Sequence, residues 1–407
     1  MSVQVSYKKQ FTFFILLILI FAVMVEVILH VIDAIPKKCN FGNSMLFDNL
    51  SESEKINLCE ELSRMAGDLS YTAAPVRLHI PNQHGSYMNI NSDGFRGEEF
   101  DFSENDYKIF FLGGSTTFGS GSLSDETTIP GQVEKKLQTN GYDVKVINAG
   151  IHSATTLDEL YLLENFLLKY SPDMIVMYDG YNDAGDFNLR KFHIPYDEFV
   201  NNNAVLNNIA VLNNIPYTGE KITSKKGTGI IIFFEDINFK TGLGIITSWN
   251  IFKNNFSLKE NYGPIIPINK DVMEPDPKII DFIEDYMSTN WSKVCSMGKT
   301  TGFQTVNFMQ PILGTSDRII HDDEKRMMSE DWFKGHYLTY LKNIDIDYDK
   351  LGSCDNVYDL RNTFAGMDGD HIYWDEGHMS NFGYEIIAEQ ITEKLIPIID
   401  EDLFENR

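Results

Sequence analysis

The chain has 407 residues, 43% of them hydrophobic and 13% aromatic, which is enough to bury a substantial core and excludes general disorder. A formal net charge of −25 sets the surface against phosphate backbones, so nucleic acid is not an expected partner. Four cysteines without a CxxC pair, and no histidine at zinc-finger spacing, exclude the common structural metal sites.

At the N-terminus, Lys8 and Lys9 precede an apolar run from Phe11 to Val25, broken only by Thr12. After Glu26 the run continues through Val27, Ile28, Leu29, Val31 and Ile32. Phe11–Ile32 has the length of a membrane span, about 20 residues. No small-x-small cleavage site follows, and Lys38 before Cys39 does not suit a lipoprotein. Residues 1–35 are therefore expected to be an uncleaved signal anchor of a single-pass cell-membrane protein. Lys8 and Lys9 are balanced by Lys37 and Lys38, so orientation rests on the short N-terminal tail, which places the rest of the chain outside the cytoplasm. Glu26 and His30, one turn apart, read as the helix end at the outer interface. An exported domain permits disulfides. Cys39 with Cys59 and Cys295 with Cys354 is the sequence-local pairing, four buried thiols the alternative.

Residues 36–104 read as a lead-in. Ser51 with Glu54 forms a capping box opening an amphipathic helix to Met65. Tyr71 to Glu99 is turn-rich, with Pro75, Pro81, Gly85, Gly94 and Gly97, and is expected to be β-rich.

Residues 105–185 then alternate. Tyr107–Leu112 is a strand, Glu126–Gln138 a helix, Asp143–Asn148 a strand, Leu157–Tyr170 a helix and Met174–Tyr178 a strand. This spacing predicts a parallel α/β sheet covered on both faces. Residues 186–275 break the pattern and read as an insertion over the sheet, a candidate lid. They contain a small duplication, Ala204 to Ile209 and Ala210 to Ile215. Residues 276–400 resume the alternation. A helix is expected near Ile279–Met297, a strand over Gln304–Met309, a helix near Glu324–Leu341, a strand at Val357–Leu360 and a last helix over Asn381–Leu395.

In open α/β sheets, ligands bind at the carboxyl ends of the strands. Here the first strand runs into Gly113-Gly114-Ser115-Thr116-Thr117, the second into Asn148-Ala149-Gly150, and the third into Asp179-Gly180-Tyr181-Asn182-Asp183. Far downstream stands Asp375-Glu376-Gly377-His378. Together these blocks resemble the SGNH (GDSL-like) hydrolase family, whose name records a Ser, a Gly, an Asn and a His in that order. Gly180 to Asp183 matches the Gly-x-Asn-Asp block, and Asp375 with His378 matches Asp-x-x-His. The Ser block departs: Gly114 stands where the family's Gly-Asp-Ser has aspartate. The resemblance covers residues 105–185 and 300–397. It implies a flavodoxin-like three-layer parallel sheet sandwich.

The chemistry of these residues can be argued on its own terms. A serine hydroxyl needs a neighbouring base, and His378 suits that role. Asp375, three residues earlier, can hold the imidazole tautomer. The Ser115 N–H, the Gly150 N–H and the Asn182 amide can converge on an oxyanion. The α/β-hydrolase elbow is excluded because Thr117 replaces its last glycine. Taken singly, Ser115 reads as a helix cap, Gly150 as a tight turn, Asn182 as a turn residue and His378 as a helix-entry residue. Taken together, they read as a site. His152 and His371 read as structural, Asp183 as a buttress of the Asn182 loop, and Arg96 as part of the lead-in turn rather than the site.

The expected function is a serine ester hydrolase acting on a short-chain or O-acetyl ester of a surface glycan or lipid. The alternatives are an O-acyltransferase working on extracellular polysaccharide with the same triad, and a non-catalytic binding module on this fold. No cofactor or metal is expected.

Overall fold

A computed structural model describes residues 6–33, 44–62, 65, 69–73, 76–103, 106–185, 277–328, 338–346 and 348–405. The chain divides into two units, residues 1–37 with 215–265 and residues 38–214 with 266–407. Of the first unit, one helix is described, α1 (Tyr7–Asp33). Its described side chains, from Tyr7 to Ile18 with Ile20, Phe21 and Met24, are exposed. Among the described residues, no helix is long and apolar enough to cross a membrane. The fold therefore does not support the expected span. The remaining side chains of Phe11–Ile32, Glu26 and His30 among them, lie outside the described residues, as does the expected insertion over 186–275.

The first α-helix of the second unit is α2 (Glu52–Glu61), opened by the expected capping box: Glu54 Oε2 accepts the Ser51 N–H at 2.7 Å and Ser51 Oγ accepts the Glu54 N–H at 3.4 Å. The lead-in is β-rich as expected. β1 (Leu69–Ala73) pairs antiparallel with β2 (Val76–His79), and β3 (Gln83–His84) with β4 (Asn89–Ile90).

The central sheet is built from the apolar runs. Its parallel strands are β5 (Tyr107–Gly113), β6 (Val144–Asn148), β7 (Met174–Asp179), β8 (Gln304–Met309) and β9 (Val357–Asp359), in spatial order β6-β5-β7-β8-β9. Ile109 stands opposite both Val146 and Met174, and Val176 opposite Val306. Numbered along the chain, that order is the flavodoxin-like one, with its switch point between β5 and β7.

Between the strands lie α3 (Ser115–Phe118), α4 (Ile129–Thr139), α5 (Thr156–Leu162), α6 (Pro277–Thr301), α7 (Asp322–Met327) and α8 (Thr339–Asn343), and α9 (Asn381–Glu405) follows the last strand. Helix α4 packs with α9 and α5 with α6, each pair against the sheet. Coverage on both faces explains why β7 is buried along its whole length.

Several boundaries differ from the sequence reading for local reasons. α4 starts at Ile129 rather than Glu126, because Thr128 caps it through the Gly131 N–H (3.2 Å) and Pro130 suits a first turn. The helix expected to Tyr170 loosens after Leu162 into a wider turn over Leu163–Leu167 and a tighter one over Leu168–Tyr170. The stretch expected over Glu324–Leu341 holds two short helices, α7 and α8, with 329–337 between them outside the described residues. Of the two alternatives left open, Cys295 and Cys354 take the sequence-local disulfide, joining α6 to the segment before β9. Cys59 is also disulfide-bonded, and its expected mate Cys39 lies outside the described residues.

Candidate active site

Strand β5 delivers Gly114 as the N-cap of α3 and Ser115 as its first residue, a position whose N–H has no intrahelical acceptor. Ser115 is 7% exposed. His378 Nε2 lies 2.6 Å from its Oγ, and His378 Nδ1 lies 2.7 Å from Asp375 Oδ2. The other oxygen of Asp375 accepts the backbone N–H groups of Gly377 (2.9 Å) and His378 (2.6 Å). This Asx-type turn locks the carboxylate to the loop that carries the base. Burial pulls the His378 pKa down. The Asp375 charge and hydrogen bond, with Glu376, more than offset this, and the net direction is upward.

The other expected residues divide. Asn182 Nδ2 donates one hydrogen to the Ala154 carbonyl at 2.8 Å. A Cβ on Gly114 would fall 2.1 Å from that nitrogen, so only glycine before Ser115 lets the amide lie beside the nucleophile. Gly150 departs from expectation: its N–H, read as an oxyanion donor, is committed to Asn148 Oδ1 at 3.1 Å. Gly150 instead permits close approach, since a Cβ there would fall 2.3 Å from the Phe118 nitrogen behind the nucleophile.

Asp183 buttresses the Asn182 loop, accepting the Thr156 N–H (3.0 Å) and hydroxyl (2.8 Å). With Glu159 and Asp179 it forms a buried group of carboxyls, and Trp291 Nε1 donates to Asp179 at 2.8 Å. Burial, with the Asp179 charge nearby, pushes Asp183 up to about 8, and burial raises Glu159 well above the usual carboxylate range. His152 is held by Ser120 Oγ at 2.7 Å. His371 stacks on His321 with ring centroids 4.3 Å apart.

Three residues near the site were not expected to serve it. Arg96, 3% exposed, donates from Nη1 to the carbonyls of Phe118 (3.0 Å) and Gly119 (2.8 Å), from Nη2 to Tyr87 (3.1 Å) and Ser124 (3.3 Å), and from Nε to Asp125 (2.8 Å). It therefore holds the C-terminal end of α3 from behind. Glu324, paired with Arg318 at 2.7 Å, accepts the N–H groups of Ile372 (2.9 Å) and Tyr373 (2.8 Å) and anchors the entry to the Asp375–His378 loop. Trp374 stacks on His378. Of the three, Arg96 sits in the Gly94-Phe95-Arg96-Gly97 turn, the one visible cue.

No family model matches the sequence, and comparison with curated proteins finds no match. Similar solved structures include the acetyl xylan esterase AlAXEase, at 13% identity over 70% of this chain and 97% of that one, with a TM-score of 0.34. They also include the psychrotrophic esterase EstA from a Pseudoalteromonas species (11% identity, 72% of this chain and 100% of that one, TM-score 0.34). TesA gives 12% identity, 71% of this chain and 98% of that one, and a TM-score of 0.36. Likeness at this level leaves the argument to the chain's own geometry.

Proposed function

We propose that the protein is a serine ester hydrolase. The observation that carries the reading is the continuous hydrogen-bonded line from Ser115 Oγ through His378 to Asp375, with spacings of 2.6 and 2.7 Å. A serine that merely capped a helix would need neither neighbour. In this reaction Ser115 Oγ attacks the acyl carbon and His378 Nε2 takes its proton. Asp375 holds the Nδ1–H tautomer and balances the imidazolium. The oxyanion is met by the Ser115 N–H and by the Asn182 amide hydrogen not given to Ala154. His378 then protonates the departing alcohol, and water repeats the sequence on the acyl-enzyme. The substrate is an acyl ester of a small molecule, glycan or lipid, with short acyl chains expected.

We further propose that α1 attaches the protein to the cell membrane, with the second unit on the extracytoplasmic side. Exposed Phe11, Phe13, Phe14, Leu16, Leu17 and Phe21 support this attachment, because lipid would cover them.

A fluorophosphonate probe tests the enzyme reading without knowledge of the substrate, since it labels a serine activated by a base beside an oxyanion site. Labelling confined to Ser115 and abolished in Ser115→Ala is expected. A folded protein that does not react above background would overturn the reading. A p-nitrophenyl ester series of increasing chain length then places the acyl preference.

A further inference from the structure

Trp374 stands directly before Asp375, and no step of the reaction above uses it. Its indole stacks in an offset, near-parallel manner on the His378 imidazole, ring centroids 5.1 Å apart and planes inclined by 13°. The indole is held in that place from several sides. Nε1 donates to the Ser120 carbonyl at 3.3 Å, and the Tyr384 hydroxyl donates to the same oxygen at 2.8 Å. Phe47 presents its ring at 65° to the indole, 6.2 Å away. Gly121 sits at φ +84°, and a Cβ there would fall 2.2 Å from the indole nitrogen. The Ser120 N–H in turn donates to the Ser115 carbonyl at 3.0 Å. The indole thus connects the arm that carries the base to the turn that carries the nucleophile.

The two charge states of His378 respond differently to such a neighbour. A neutral imidazole on an indole face gains chiefly dispersion. An imidazolium in the same place is also attracted by the negative face of the ring. Above its midpoint His378 is neutral and becomes imidazolium as Ser115 attacks, so the attraction grows toward the transition state. We infer that Trp374 is a positioning residue that presents its π face to His378 and stabilises the charge the base acquires. This deepens the hydrolase reading and rests on it.

Other groups also face the base. Asp375 and Glu376 act on it from its own loop and His152 from the loop after β6, while Tyr384 of α9 acts on its partner Asp375. Tyr181, after β7, lies against Gly377, where a Cβ would stand 3.3 Å from the phenol ring. Burial, with the His79, His378 and Arg96 charges, keeps the His152 pKa well below the ordinary value, and burial raises that of Tyr384. Neither changes charge in the neutral range; Asp183, behind the Asn182 loop, is pushed up to about 8 but is untouched by a change at Trp374, so a shift of midpoint between wild type and a Trp374 variant reports His378.

The test is the rate of fluorophosphonate labelling of the full-length protein against pH. In wild type the rate rises with pH through one midpoint as the base becomes free. Trp374→Leu removes the π face, and its midpoint should fall by about half a pH unit. Its plateau rate should fall roughly two-fold as the base weakens. Trp374→Phe keeps a smaller π face without the bond to Ser120, and its midpoint should lie between the two. A purely structural indole predicts slower labelling with an unmoved midpoint in both variants, and that result overturns the inference while leaving the hydrolase reading intact. If the leucine variant does not fold, the phenylalanine variant decides: a midpoint at or above wild type overturns the inference. An unlabelled wild type would remove the hydrolase reading and this inference with it.

Discussion

Asn182 offers the sharpest measure of the proposed site, because its amide has two hydrogens to which the hydrolase reading gives separate tasks. One is given to the Ala154 carbonyl at 2.8 Å and holds the loop after β7 against the loop after β6. The other is the proposed oxyanion donor, placed beside Ser115 by the bare Gly114. Asn182→Ala removes both. Loss of the structural bond should lower stability by about 1–2 kcal/mol, which leaves the population folded at 25 °C. Loss of the oxyanion donor should lower kcat about 100- to 1,000-fold, equivalent to roughly 2.7–4 kcal/mol of transition-state stabilisation. The assay is kcat for p-nitrophenyl acetate, with competent sites counted by phosphonate titration and stability read from thermal unfolding. A small loss of Tm with a large loss of kcat supports the division of labour. A normal kcat alongside a lowered Tm would show that Asn182 only ties two loops together, and the oxyanion reasoning would fail.

Three further outcomes follow from the geometry. His378→Ala should nearly abolish labelling of Ser115, whereas Asp375→Asn should leave weak labelling; equal labelling in all three proteins would mean the triad does not activate the serine. Asp183 is pushed up to about 8 in the fold against about 3.9 in an unfolded chain, so the folded state holds an extra proton between those values. Its stabilisation is fully present below the lower value and is lost as pH rises through the upper one, at up to roughly 1.4 kcal/mol per pH unit. Asp183→Asn should flatten the fall of Tm with rising pH, and an unchanged slope would place that proton elsewhere. Finally, a chain shortened to begin at Lys38 should leave the membrane fraction and keep its labelling. Retention in that fraction would mean α1 is not the attachment.

The parallel sheet was legible because its strands are buried on both faces and read as nearly unbroken apolar runs. Gln304–Met309 is recovered to the residue, and Met174–Asp179 to within one. Ser115, His378 and Asp375 were legible because short blocks at strand ends keep their order in sequence. Helix boundaries were less so. The difference between a helix at Glu126 and one at Ile129 is set by which hydroxyl finds a free backbone N–H, and Thr128 wins that competition. Gly150 shows a different limit. Its type was correctly tied to close approach, but an N–H can point two ways, and only three dimensions show it donating to Asn148. Trp374 could not be singled out, since adjacency to Asp375 says nothing of which ring it will face.

What the sequence hides most completely is how the two arms of the proposed triad are kept in register, and here buried charge rather than apolar packing supplies the answer. Helix α3 spans only Ser115–Phe118, so the carbonyls at its end lack donors of its own kind. Arg96 supplies them at Phe118 and Gly119. On the other arm, the N–H groups of Ile372 and Tyr373 lie outside any strand or helix, and Glu324 accepts both. Apolar residues of similar volume could stabilise the fold as well as a buried ion pair does. They could not donate to those carbonyls or accept from those N–H groups, and the loops would then drift. A drift of about 1 Å between nucleophile and base is enough to cost on the order of 100-fold in rate. The part-buried Arg96–Asp125 and buried Arg318–Glu324 pairs are therefore better understood as devices of position than of stability. That view accounts for their placement, one behind the turn that carries Ser115 and the other at the entry to the loop that carries His378.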